Sequence, residues 1–136
     1  AGGAPEIAMH VKELLIVMKQ SARTFVQSLA FRTTAGFLDG GDARARAGFP
    51  GAGPRVVITD LGEMTPEPGT HELVLSAIFD GVTVDDVRAA CGWPLRVAGT
   101  VARIAPPTVA ELQTLRDLQQ RTREAHAQRV RITLPT

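Results

Sequence analysis

The chain has 136 residues, 44% apolar and 21% charged, with 15 Lys and Arg against 14 Asp and Glu for a formal charge of +1. That length suits one compact domain, and a mean hydropathy of +0.04 is too high for a disordered chain. No apolar run is long enough to span a bilayer, and the balanced charge gives no field that would recruit nucleic acid or an anionic membrane.

The single cysteine, Cys91, cannot form an internal disulfide, and the first residues show no basic segment followed by an apolar one; together these predict a reducing, cytoplasmic setting. His10, His71 and His126 are scattered, with none at ligand spacing from Cys91 or from another histidine, so no metal site is expected.

The first predicted element is a strand within Val11 to Lys19, where Leu14 to Met18 form an apolar run of the length of a strand buried on both faces. Residues 34–54 follow with six glycines and no apolar periodicity, which reads as a long surface excursion, either functional or simply loose. Within it, GFPGAGPR at residues 48–55 lacks the Lys-Ser/Thr of a phosphate loop and reads as a turn. Val56 to Asp60 is bracketed by turn residues and predicts a second strand; Glu72 to Phe79, between Pro68-Gly69 and Asp80-Gly81, predicts a third.

Thr83 with Asp86 three residues on is a capping pattern, so a short helix should run from there to about Cys91, with Val84, Val87 and Cys91 facing inward. Trp93-Pro94 stops it, and Leu95 to Ala98 predicts another strand. Thr108 and Glu111 repeat the capping pattern and open the longest helix, to about His126, with Val109, Leu112, Leu115 and Leu118 as an apolar stripe suited to packing. Arg129 to Leu134 alternate with period two, as an edge strand or an extended arm would. Strands alternating with helices indicate an α/β fold with a mainly parallel open sheet flanked by helices.

With AGGAPEIA at residues 1–8 leading into LLIVMK and RTFV, then GPRVVITDLG at residues 53–62, GVTVDDV at residues 81–87, Gly92-Trp93 and Pro106-Pro107-Thr108, the chain resembles the β subunit of the family I CoA-transferases, of the glutaconate and 3-oxoacid type. The likeness extends to about Arg116, which suggests a C-terminal part of a β-subunit domain over residues 1–118 and a helix end with an extended arm over residues 119–136. Where such chains often have His-Pro before the Gly-Val-Thr block this one has Phe79-Asp80, and where they often have Thr before Gly-Trp it has Cys91; both changes bear on packing and the ligand rim.

The resemblance implies transfer of CoA from an acyl-CoA to a carboxylic acid through a glutamyl-CoA thioester, with a coenzyme A thioester as substrate and no permanently bound cofactor. It implies as partners an α subunit and the remainder of the β subunit. The nucleophilic glutamate of the family lies upstream of the glycine loop, so the role does not pass to Glu6, Glu13 or Glu63; Glu6 reads as a loop or helix-start anchor. Gly2 and Gly3 are the candidate catalytic positions, with backbone N–H groups facing a thioester oxyanion, and Gly3 with Ala4 the candidate CoA-binding positions, supported by Pro5 and Ile7. A thioester hydrolase or ring-opening enzyme of the same family is the alternative within the fold. A non-catalytic assembly subunit, gripping a partner through Arg121, Arg123, Arg129 and Arg131, is the alternative outside it.

Overall fold

The computed structural model describes residues 2–133, with side chains described through residue 127. Residues 1–104 form one compact unit and residues 105–136 a second.

The first unit is built on a five-stranded sheet in the order β1 to β5, comprising β1 (Leu14–Val17), β2 (Pro54–Ile58), β3 (Gly62–Pro66), β4 (Leu73–Ile78) and β5 (Arg96–Arg103). Helices α1 (Gly3–His10), α2 (Ala43–Arg46) and α3 (Val84–Ala89) complete it. The α/β class and open sheet agree with the sequence, but the sheet is mixed instead of mainly parallel. Strands β1 and β2 pair in parallel, as do β4 and β5, whereas β3 runs antiparallel to both β2 and β4. Connection length is the reason. Residues 59–61 and 67–72 are too short for a crossover, which needs a dozen or more residues, while residues 18–53 and 79–95 are long enough.

Strand β3 is the element the sequence conceals, because Gly62 and Pro66 read as breakers. Gly62 is there for space: a Cβ on it would lie 2.3 Å from the Ala77 carbonyl oxygen on β4. The turn before it is organised by Thr59, 5% exposed, whose Oγ1 accepts the N–H groups of Leu61 and Gly62, both at 3.1 Å.

Phe25, Val57, Met64, Leu75, Ile78, Val87 and Leu95 form the core, and Met64, Leu75 and Val87 are wholly buried. Helix α3 delivers Val87 with Val84 and Cys91 beside it, as its periodicity predicts. Its start is the predicted capping box, with the Asp86 carboxylate accepting from Thr83 N at 2.8 Å and Thr83 Oγ1 accepting from Asp86 N at 3.2 Å. Strand β1 departs from expectation: Leu15 and Val17 are 58% and 77% exposed, so among the described residues this edge strand is covered on one face only.

In the second unit, Thr108 and Glu111 form the other predicted capping box at the head of α4 (Val109–Thr133). In place of the strand or arm expected over Arg129 to Leu134, helix α4 continues through Thr133, and Leu134 lies outside the described residues. No Gly or Pro interrupts residues 108–134, and extending a nucleated helix adds one hydrogen bond per residue fixed. Val109, Leu115 and Leu118, expected to pack, are exposed.

Arg96 on β5 grips the β3–β4 turn, with Nη1 and Nη2 donating to the two carboxylate oxygens of Glu67 at 2.5 and 2.6 Å. That pairing, aided by the Thr70 hydroxyl, holds the Glu67 carboxyl below the usual carboxylate range. A depressed folded-state pKa stabilises the fold in full above the ordinary carboxylate pKa and is lost as pH falls through the folded value. Arg96→Met is therefore expected to remove part of the acid sensitivity below about pH 4.3, read as a smaller drop in urea midpoint between pH 5 and pH 3. Leu75→Ala, which opens a cavity beneath both β3 and β5, is expected to lower the unfolding free energy by about 2–5 kcal/mol in urea titrations at neutral pH.

Candidate functional site

Helix α1 begins where the sequence places its candidate residues. Gly2 is the N-cap, Gly3 and Ala4 are the first helical residues, and no side chain caps the turn. In a helix start of this kind the leading N–H groups have no intrahelical acceptor, so Gly3 and Ala4 present donors outward. A Cβ built on Gly2 or Gly3 meets nothing within 4 Å, and neither residue has positive φ. A cleft of about 410 Å³ adjoins this turn, lined by Gly3, Glu6, Ile7, His10 and Val11. Glu6 sits in the first turn, where a carboxylate complements the helix dipole. Ile7, expected to support the loop, is 58% exposed and lines the cleft instead.

The other end of α1 is held from the excursion. Arg44 on α2 is 6% exposed and donates five hydrogen bonds to four carbonyl oxygens: Gly36 at 2.7 Å, Ala8 at 3.2 Å, Met9 at 3.3 Å, and Gly51 twice, at 3.0 and 3.1 Å. Its guanidinium carbon also lies 5.4 Å from the Phe49 ring centroid. Beside it Gly51 N donates to the Met9 carbonyl at 2.9 Å, and a Cβ on Gly51 would lie 2.5 Å from the Val11 oxygen and 2.7 Å from that of Met9. The glycine-rich excursion is thus pinned to α1. The sequence carries no signal of these contacts: Gly51 falls in the GFPGAGPR segment that reads as a turn, and Arg44 in an excursion without apolar periodicity.

A second polar group lies where β1 and β2 end. Gln20, 5% exposed, donates its N–H to Asp60 Oδ1 at 2.8 Å and its Nε2 to the Val87 carbonyl at 3.0 Å, and its Oε1 accepts the Thr59 hydroxyl at 3.0 Å. Cys91 stands at the edge of the core with its thiol pKa pushed up by burial, which makes it a packing group and a poor nucleophile. Among the described residues, no cluster of three His, Cys, Asp or Glu side chains is placed to hold a metal ion, and no helix is long and apolar enough to cross a membrane. Chemically, the α1 turn offers backbone N–H donors to an anion or oxyanion.

Residues 1–90 match the family model for coenzyme A transferase. The chain belongs to that family. It is 50% identical over 128 residues, or 94% of its length, to the B subunit of 3-oxoadipate CoA-transferase from Pseudomonas knackmussii, and covers 49% of that protein. It is 33% identical over 114 residues to the B subunit of glutaconate CoA-transferase from Acidaminococcus fermentans, covering 42% of it. The glutaconate coenzyme A-transferase crystal structure from that organism superposes with a TM-score of 0.76 at 29% identity, over 85% of this chain and 44% of that one. The decarboxylase AibA/AibB shares the fold at a TM-score of 0.63 and 19% identity, over 84% of this chain and 41% of that one. The chain spans about half the length of the curated relatives it matches. Both are B subunits, which agrees with the β-subunit resemblance, and the longer alignment leaves out too few residues to stop at Leu118, so the likeness extends beyond Arg116.

Gly51→Ala is expected to lower the unfolding free energy by about 1–3 kcal/mol, because the new methyl meets backbone oxygens that no rotamer change can move. Gly36→Ala, which meets nothing within 4 Å, should change it by less than about 0.5 kcal/mol in the same denaturation series.

Proposed function

We propose that this chain is part of the β subunit of a CoA-transferase that moves CoA between an acyl-CoA and a carboxylic acid, working with the remainder of that subunit and an α subunit. Gly2 and Gly3 supply backbone donors to the thioester oxyanion, and Gly3 and Ala4 border the bound acyl-CoA. A glutamate carboxylate outside this segment attacks the thioester carbonyl and expels CoA thiolate; the thiolate then attacks the resulting anhydride at the glutamyl carbonyl, giving glutamyl-CoA and the free acid. The incoming acid reverses both steps. The enzyme uses coenzyme A thioester as substrate without a resident cofactor and acts in a reducing cytoplasm.

The observation that carries this reading is the uncapped glycine start of α1. Its glycines are required neither by φ nor by any contact within the described residues, so the space their missing side chains leave is available to a ligand approaching the amides. The likeness to B subunits named for 3-oxoadipate and glutaconate, both dicarboxylates, supports dicarboxylic acids as the acceptor class.

The test is CoA exchange by the heteromer assembled from this chain, the rest of its β subunit and the α subunit. We expect exchange with 3-oxoadipate, a CoA adduct on a glutamate by mass spectrometry after acyl-CoA incubation, and a kcat lowered about 100-fold by Gly3→Val as an oxyanion donor is blocked. Thioester hydrolysis without exchange or adduct would favour the hydrolase instead. No turnover and no CoA binding would point to an assembly subunit.

A further inference from the structure

We propose that Arg44 is a positioning residue that aims the donor turn of α1, a role that rests on the CoA-transferase reading above. The guanidinium is almost wholly buried, yet its five hydrogen bonds go to carbonyl oxygens and none to a carboxylate. Two of those carbonyls, Ala8 and Met9, belong to the last turn of α1; the other two, Gly36 and Gly51, belong to the excursion. One side chain from residue 44 therefore closes the C-terminal end of a helix whose N-terminal end carries the candidate donors.

Among the described residues, helix α1 has few other restraints on its direction. It is eight residues long, too short to be stable alone, and Ala8 is its one buried residue. Its direction is set where Arg44 and Gly51 N meet the Ala8 and Met9 carbonyls. A helix rises about 1.5 Å per residue, so the Gly3 amide lies about 9 Å along the axis from that clamp. A tilt of about 6° at the clamp then displaces the amide by about 1 Å, and an error of that size at reacting groups lowers rate on the order of 100-fold. Lysine cannot substitute: its ammonium is a single point with three donors, whereas the planar fork reaches acceptors on α1 and both ends of the excursion at once.

The experiment compares wild type, Arg44→Lys and Arg44→Ala in the assembled heteromer, by steady-state kinetics and by hydrogen–deuterium exchange of residues 3–10 against residues 73–78. We expect kcat to fall about 100-fold in both variants, with the KM for acyl-CoA within about threefold. Exchange should rise about tenfold in residues 3–10 alone, and added ethylguanidinium should restore part of the Arg44→Ala kcat. Assembled variants with wild-type kcat, or with unchanged protection of residues 3–10, would overturn the proposal. Failure of both variants to assemble would overturn it too, by assigning Arg44 to folding. A wild-type heteromer without CoA exchange would sink the functional reading instead, and the exchange comparison would still decide whether Arg44 holds α1.

Discussion

A buried guanidinium without an anion beside it is the contact on which the candidate site depends. Moving a charge out of water costs several kcal/mol, and Arg44 offsets that with five hydrogen bonds and a nearby aromatic face. Two of its acceptors are at the C-terminal end of a helix, where the carbonyl dipoles favour a cation. Two ion pairs of the first unit are different. Arg55 with Glu13 and Arg88 with Asp85 join side chains that are about half exposed or more, and such pairs contribute from nothing to about 1 kcal/mol. Counting ion pairs would rank Arg55 above Arg44; burial and acceptor count reverse the order.

The sheet depends on a second polar contact of the same kind. Thr59 and Gln20 join the end of β2 to the segment after β1 and, through the Val87 carbonyl, to α3. Thr59 also closes the turn into β3, so one buried hydroxyl lies at the change from parallel to antiparallel pairing. Among the described residues no buried side-chain nitrogen or oxygen lacks a partner, and that is how a small core such as Met64, Leu75 and Val87 tolerates polar groups at its margin.

What was legible in the sequence was what depends on neighbours in the chain. Both capping boxes, the strand through Val56 to Ile58 and the inward face of α3 follow from side chains within four residues of each other. What was hidden depends on distant partners. Strand β3 is acceptable because Ala77 leaves room only for glycine at position 62, and no local pattern carries that fact. The exposed outer face of β1 is a matter of what covers the strand, which its apolar run cannot state. Arg44 was unreadable for the same reason: its acceptors at Ala8 and Met9 lie 36 and 35 residues away. Gly2 and Gly3 are candidates through resemblance to a family; composition and periodicity alone give them no distinction from a plain turn.

The fold itself leaves the chemistry open, since a decarboxylase shares it at 19% identity, so the reaction has to be argued from the α1 turn. Backbone amides recognise an oxyanion that every acyl thioester develops, and they are indifferent to the acyl chain beyond it. On the CoA-transferase reading, discrimination among acids therefore falls to side chains around the turn. In this chain those are Glu6, Ile7 and His10 on the cleft beside Gly3. Ile7 offers apolar surface, and Glu6 disfavours a second carboxylate close by through like-charge repulsion. On that reading, a dicarboxylic acyl group held at these amides lies along Ile7 and directs its far carboxylate away from Glu6.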